Sequence, residues 1–455
     1  MTIWSYEEMT SWLEGHMNFE ATGLTAGVPP ERPPSLDRMR AMCALLGSPE
    51  EDMPVIHVTG TNGKGSTARM ITDLLMAQGL RTATFTSPHL HSFNERMAYN
   101  GEPISDGELS ELMAVVALAE RAMEDRPTWF ELLAAGALRW FSDLAVDAAV
   151  LEVGLGGRWD ATNVACADVS VVTNVSYDHV EILGPGLEDI AGEKSGIIKK
   201  EGRLVLGETD PALVGIFEGA CVEVGARSIL LNGRDYSCVS NEPVGCGQGR
   251  LVELRSHYGD HGLVRLALNG AHQGANASTA LTAAEEFLGS AYPESRLGEV
   301  LGDAEVPGRL EILGRDPLVV LDGAHNVAGV EALGDWVREE CAGLSPKVAV
   351  VGMLAGRDPG VMLELLKAAG VEVAIAVRAP SPRSQPPDAV RDAAQRAGLA
   401  SEVCDSMAGA LARAGSVTGE GGMVVVTGSL YVVGEARDLM LAPVASETTT
   451  VSLPV

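Results

Sequence analysis

The stretch Val55-Ile56-His57-Val58-Thr59-Gly60-Thr61-Asn62-Gly63-Lys64-Gly65-Ser66-Thr67 decides how this chain reads. A short β-branched run enters a glycine-rich loop, and residues 68–78 continue as a helix-compatible segment that Gly79 stops. Strand, glycine loop and helix is the geometry that cradles phosphates. The glycines let backbone N–H groups approach the oxygens, the helix N-terminus adds partial positive charge, and Lys64 adds a point charge. The spacing departs from the usual G-x-x-x-x-G-K-[ST]: Val58 stands five before Gly63, and Gly65 follows the lysine where a hydroxyl is expected. That shortened loop sets the chain apart from ordinary small GTPases and kinases. The alternative, a glycine-rich turn with a surface lysine, leaves the flanking strand and helix unexplained.

Outward from the loop, the alternation repeats. Residues 81–86 read as a second strand ending at Ser87-Pro88-His89-Leu90, where Pro88 turns the chain. Helices are expected at 106–123 and 128–142. A buried strand at 146–153 runs into Gly154-Leu155-Gly156-Gly157-Arg158-Trp159-Asp160, and a strand at 169–175 leads to Ser176-Tyr177-Asp178-His179. The pattern is α/β: a doubly wound, mostly parallel sheet whose ligands lie beyond the strand carboxyl ends. Lys64, Ser87, Glu152 and His179 all fall at such ends. Glu152 closes an apolar strand, where a carboxylate needs a partner such as a cation; the competing reading has it cap the following glycine turn. His179 is read as a ligand from its place beyond a neighbouring strand.

Upstream, residues 1–54 read as a helical segment, a proline-rich linker (27–34) and a helix near 36–46. Downstream, 186–200 looks helical and carries Glu193-Lys194-Ser195, and 203–233 continues the α/β pattern. Residues 250–258 and 263–268 read as a hairpin turning at Gly259-Asp260-His261-Gly262, followed by a helix at 271–288. Val306-Pro307-Gly308-Arg309 is the expected domain boundary. A second α/β rhythm follows, with strands at 318–321, 347–351, 371–377 and 423–427. The expected organisation is a P-loop domain over 1–306, a smaller Rossmann-like domain over 307–440 and a mobile tail over 441–455.

Composition narrows the function. The chain has 455 residues, 46% hydrophobic and 21% charged, as globular proteins do. A net charge of −29 argues against a nucleic-acid-binding surface. The N-terminus lacks a signal-peptide pattern, and no apolar run approaches the ~18 residues of a membrane span. Seven scattered cysteines with no C-x-x-C fit reduced thiols, neither a disulfide framework nor a zinc site. A cytoplasmic protein with no membrane partner is expected.

Several segments together resemble folylpolyglutamate synthase, whose bacterial form is often also a dihydrofolate synthase, in the Mur ligase superfamily. They are the phosphate loop, Thr86–Leu90, Leu151–Asn163, Asp178-His179, Glu193–Lys199, Leu321-Asp322-Gly323-Ala324-His325-Asn326 and Thr427-Gly428-Ser429-Leu430-Tyr431, in order from 58 to 431. The resemblance implies an ATP-dependent amide-bond ligase working through an acyl phosphate, with positioning and metals carrying most of the catalysis. It implies that Gly60, Thr61, Asn62, Gly63, Lys64, Gly65 and Ser66 hold the phosphates. Ser87, Glu152 and His179 would bind Mg²⁺, and a carbamylated Lys194 would help hold a second. His272-Gln273-x-x-Asn276 matches the family's H-Q-x-x-N, which puts Asn276 near the adenine or ribose. Arg309 would reach the γ-phosphate as the domains close, and Asp322 and His325 would position ATP and glutamate. Ser429 is a weaker candidate for the glutamate carboxylate.

The implied substrates are ATP, L-glutamate and either dihydropteroate or a reduced folate; both activities are expected, from a monomer. The pterin pocket would draw on the N-terminal segment and the loops near Phe93-Asn94-Glu95-Arg96 and Trp129-Phe130-Glu131, although an aromatic core on an amphipathic helix explains the last at least as well. Two alternatives remain at this point. One is a ligase adding an amino acid to a UDP cell-wall precursor, disfavoured by Gly65. The other is a non-ligating ATP-dependent switch, which gives Arg309, Asp322 and His325 no task.

Overall fold

The computed structural model describes residues 4–22 and 35–442. The proline-rich stretch and nearly all of the expected tail lie outside the described residues. No helix among the described residues is long and apolar enough to cross a membrane.

The chain divides into two compact units. The first takes residues up to 240, with 253–264 and 275–302; the second takes 241–252, 265–274 and everything from 303 onward. A single cut after residue 306 therefore does not describe the chain, because two short segments before it belong to the second unit.

The first unit holds an eight-stranded sheet: β1 (Val55–Thr59), β2 (Thr82–Phe85), β3 (Met97–Tyr99), β4 (Glu102–Pro103), β5 (Ala148–Glu152), β6 (Val169–Val172), β7 (Arg203–Leu206) and β8 (Ser228–Leu231). Their order is β4-β3-β2-β5-β1-β6-β7-β8. The six strands from β2 to β8 in that order are parallel, and β3 and β4 add an antiparallel edge that the sequence reading missed. β1 lies at the centre, buried along its whole length, which is why it reads as a mostly apolar run, broken only by His57 and ending in Thr59, rather than an alternating one. Its register pairs Val58 with Glu152 on one side and Thr59 with Val172 on the other, so the ends of β5, β1 and β6 emerge side by side. The helix Lys64–Ala77 packs Met70, Ile71, Leu74 and Leu75 inward. Each buried side chain of that size contributes about 1.5–3 kcal/mol.

β9 (Ser237–Pro243), β10 (Arg250–Ser256) and β11 (Gly259–Leu266) form a three-stranded sheet in the order β11-β10-β9. The turn between β10 and β11 is His257-Tyr258, earlier than expected, and Gly259 already belongs to β11. Ser256 Oγ accepts the Tyr258 N–H at 3.2 Å and so closes the turn early.

The second unit contains β12 (Glu311–Arg315), β13 (Leu318–Leu321), β14 (Lys347–Val351), β15 (Val373–Ala376), β16 (Ala400–Val403) and β17 (Met423–Thr427), ordered β12-β13-β17-β14-β15-β16. All pairings are parallel except β12 with β13. The expected strands at 318–321, 347–351 and 423–427 are observed with those bounds; β12 and β16 are partly exposed edge strands without a continuous apolar run. The core under this sheet gathers Leu333, Trp336, Leu363, Ala374 and Val425.

Candidate active site

In the first unit, the loop after β1 is shaped by the segment that follows β6. Thr61 N–H donates to Asn174 O and Asn62 N–H to Asn174 Oδ1, both at 3.0 Å, while Asn174 Nδ2 returns a bond to Asn62 O at 2.9 Å. These two amides are thus spent within the protein. The donors aimed at an anion are those of the first turn of the helix Lys64–Ala77, whose N–H groups lack intrahelical acceptors. Lys64 Nζ is held over the same loop, 3.0 Å from Gly60 O and 3.3 Å from Thr61 O. Two glycines are required here. Gly60 has φ +151° and a Cβ there would overlap Thr173 Oγ1; Gly63 has φ +82° and a Cβ would press on Asn276 Oδ1. Asn276, from the helix His272–Leu288, therefore lies against the loop.

Glu152 ends β5 only 3% exposed and accepts the Ser87 N–H at 3.0 Å through Oε2. The glycine turn that follows has a cap of its own, Asp160, whose carboxylate takes N–H groups from Gly154, Leu155 and Thr162 at 3.0 Å each. A side chain at position 65 would point toward Glu152, since a Cβ there would sit 3.6 Å from Oε2. The absent hydroxyl after Lys64 thus leaves room beside the carboxylate, and Ser87 brings one from the end of β2.

His179 has a left-handed backbone, φ +52°, with its N–H on Asp178 Oδ1 at 2.9 Å. Its ring lies 3.8 Å from Asp178 and 3.9 Å from Glu181. Lys194, in the helix Leu187–Ser195, is nearly fully buried. Burial pulls its ammonium down to about 7, the nearby charge of Lys64 pulls the same way, and Asp178 opposes. The salt bridge conceivable between Lys194 and Glu193 is not formed as such, for Glu193 lies 3.8 Å from Arg158.

No three His, Cys, Asp or Glu side chains are assembled into a metal cage among the described residues. The Ser87 and Glu152 pair nevertheless fits Mg²⁺ in donor chemistry. Both offer hard oxygen donors, and Mg²⁺ commonly uses one or two protein ligands with water and phosphate oxygens completing its shell.

The expected pterin residues fare less well. Arg96 is 1% exposed, bound to Glu20 at 3.0 and 2.6 Å and to His89 Nδ1 at 2.8 Å, with its guanidinium 4.7 Å from the Trp129 ring. Its guanidinium is thus engaged in structural contacts. Trp129 is buried, and Glu131 both caps its helix through the Thr128 N–H (2.7 Å) and pairs with Arg38. Phe130 stays half-buried beside Gly154. Arg96→Ala should cost about 3 kcal/mol of stability by removing a buried cation that binds Glu20 and His89 and stacks on Trp129. Urea denaturation measures this, while KM for ATP in the folded fraction should not change.

In the second unit, Asp322 follows β13 and accepts the Leu310 N–H at 2.9 Å and the Ala324 N–H at 3.0 Å. Burial raises its carboxyl, and the Arg309 charge opposes that rise. His325 Nδ1 lies 2.8 Å from Gly323 O, which fixes the tautomer with the proton on Nδ1. Asn326 caps the helix Val327–Glu340. His272 is pushed down to about 4 by burial and by Arg309 and Arg250, so it is neutral at pH 7. Ser429 is a buried cap whose hydroxyl accepts the Val432 N–H at 3.3 Å, a structural role the sequence reading had not assigned it. Asp160 and Asn174 were missed; their only signals were an acidic residue two before Thr162 and an Asn just past an apolar strand.

Residues 58–284 match the Mur ligase middle domain and residues 308–430 the Mur ligase glutamate ligase domain. The chain is 35% identical to a Bacillus subtilis dihydrofolate synthase/folylpolyglutamate synthase, covering 76% of this chain and 79% of that one. A Mycobacterium tuberculosis protein of the same description is also 35% identical, over 89% of this chain and 90% of its own. Among solved structures, M. tuberculosis folylpolyglutamate synthase complexed with ADP superposes with TM-score 0.87 at 32% identity, covering 96% and 98% of the two chains. E. coli FolC in complex with DHPP and ADP gives 0.82 at 28%, over 95% and 97%. With its phosphate loop, its buried Glu152 and two Mur ligase domains in order, the chain belongs to the dihydrofolate synthase/folylpolyglutamate synthase family of Mur ligases.

Proposed function

We propose that this protein joins L-glutamate to reduced folates and to dihydropteroate at the expense of ATP. The observation that carries the reading is the side-by-side emergence of β5 and β1, which places the carboxylate of Glu152 next to the loop that holds Lys64. The substrate carboxylate attacks the γ-phosphorus of ATP, forming an acyl phosphate and releasing ADP. The glutamate α-amine then attacks the acyl carbon, loses a proton, and expels inorganic phosphate as the amide forms. The relatives named for both activities support the two acceptor substrates.

Lys64 and the helix N-terminus neutralise the phosphates, with Gly60, Gly63, Gly65 and Ser66 keeping the loop close to them. Asn276 contacts the nucleoside. Arg309 and Asp322 orient ATP, and the His325 ring, held by Gly323 O, meets the incoming glutamate. Mg²⁺, held by Ser87, Glu152 and His179, would neutralise phosphate charge and polarise the transferred group. A second ion would draw on Lys194 as its carbamate: an amine with a pKa of about 7 is half neutral at pH 7 and can add CO₂ with loss of a proton. The proposal includes a monomer acting in the cytoplasm.

The test is ADP release with Mg-ATP and L-glutamate, adding dihydropteroate in one reaction and tetrahydrofolate in another, with product masses recorded. One added glutamyl unit on both supports the bifunctional reading. Addition to tetrahydrofolate alone restricts it to polyglutamylation, and addition to neither refutes it.

A further inference from the structure

Of the three cysteines in the second unit, none of which the ligation chemistry uses, two lie side by side. Cys246 lies in the loop between β9 and β10, and Cys341 closes the helix Val327–Glu340. Their sulfurs are 2.7 Å apart although 95 residues separate them in sequence. A disulfide requires about 2.0 Å, so bond formation needs less than an ångström of movement. One sulfur is accessible and the other is not: Cys246 is partly exposed, whereas Cys341 is buried. Arg250, at the start of β10, binds both Glu339 and Glu340, which fixes that end of the helix beside the loop.

Next to Cys246 the surface opens into a cavity of about 480 Å³ lined by Gly247, Gln248, Arg265, Ala267 and Arg315. Arg315 donates to Gly247 O at 3.3 Å and Arg265 to Gln248 O at 3.4 Å. Among the described residues neither guanidinium is paired with a carboxylate, which is unusual in a chain of net charge −29. The contact with Cys341 holds the Cys246 thiol below the ordinary range, with burial and the Glu340 charge opposing and Arg315 and Lys347 helping; the Cys341 thiol is pushed up. Thiolate character and access therefore coincide at Cys246, the combination that makes a thiol reactive.

We propose that Cys246 and Cys341 are a thiol–disulfide couple oxidised by exchange with a small anionic disulfide of the oxidised-glutathione class, whose carboxylates dock on Arg265 and Arg315. The Cys246 thiolate attacks one sulfur of the small disulfide, making a mixed disulfide and releasing one small thiolate. Cys341 then loses its proton to water and its sulfur attacks Cys246 Sγ, forming the internal bond and expelling the second small thiolate. The protein gives up two protons and two electrons, and the small disulfide takes them up to become two thiols. The product staples the loop before β10 to the end of the helix Val327–Glu340, and a reducing dithiol reverses it.

The experiment treats the reduced full chain with oxidised glutathione, blocks remaining thiols and maps peptides by mass. A linked Cys246–Cys341 peptide is expected, together with a thermal midpoint raised by roughly 5 °C or more. Cys341→Ser should accumulate one glutathione on Cys246, while Cys246→Ser should leave Cys341 unmodified. The exposed Cys166 is an internal standard for unassisted reaction. At equal concentration, positively charged cystamine should react at Cys246 roughly tenfold more slowly than oxidised glutathione, and Arg265→Ala/Arg315→Ala should erase that preference. Recovery of Cys246 and Cys341 as separately blocked peptides while Cys166 is fully modified would overturn the couple. Equal rates for the two reagents would overturn the arginine docking.

Discussion

Lys64→Ala is expected to lower ATP-dependent turnover by roughly 10³-fold or more, about 4 kcal/mol of transition-state stabilisation. The ammonium is held over the loop by Gly60 O and Thr61 O, so it occupies its working place without a side-chain ion pair to recruit it. A triphosphate transfer concentrates negative charge, and a donor fixed in advance costs no reorganisation when that charge moves. The fold should survive, because the loop's shape rests on Thr173 and Asn174 rather than on the lysine. Removing this charge also removes one of the two causes that depress Lys194, whose ammonium should titrate higher in the variant. ADP release measures the first effect, and NMR titration of a labelled lysine the second. Turnover within tenfold of the unmodified protein would refute the phosphate-loop assignment.

The parts of the fold legible in the sequence are those where burial is two-sided. β1, β5, β13, β14 and β17 are buried along their full length, and each reads as a mostly apolar run, with His57 inside β1 and the other polar residues (Thr59, Glu152, Lys347 and Thr427) at strand ends. The edge strands escaped notice for the matching reason. Glu102–Pro103, Glu311–Arg315 and Ala400–Val403 are partly exposed, so their side chains carry no comparable signal. The unit division was hidden for another reason: segments 241–252 and 265–274 join the second unit by long-range packing that no local composition shift announces.

At the site, residues at strand ends were legible because position alone proposes a role. Glu152 is where an acidic residue closing an apolar strand had to be, and its partner Ser87 follows from the neighbouring strand. The misreadings came from composition without geometry. Arg96 and the Trp129-Phe130-Glu131 triplet have the residue types of an aromatic, charged pocket, yet Arg96 and Trp129 are buried against each other and Glu131 is held by Arg38. Ser429, read as a weaker candidate to bind the glutamate carboxylate, also caps the helix Leu430–Leu441, a use its place just before a helix could have shown. What selected Asp160 and Asn174 was likewise a backbone amide in need of an acceptor, which sequence does not display.

Lys194→Met should raise stability at pH 7 while abolishing most of the activity. The amine has an ordinary value of 10.5 and a folded one of about 7, chiefly through burial. Between these pH values the unfolded chain binds a proton that the native protein does not, so stability rises as pH climbs through that window. Below about pH 7 the penalty is fully developed, and near pH 10.5 it vanishes. Methionine fills similar volume without a charge, so the variant should gain on the order of 2–4 kcal/mol at neutral pH. That corresponds to a thermal midpoint roughly 5–10 °C higher, and the two proteins should converge as pH approaches 10. A lysine kept at such a cost beside Lys64 and Asp178 has a use that only its nitrogen can serve, and ligation should fall by roughly 10²-fold or more. Calorimetry across pH 6–10 and the glutamyl-transfer assay measure the two effects separately. A variant that gained stability and kept its activity would make Lys194 a purely structural residue, whereas one that lost stability would show that the amine is not penalised by its burial.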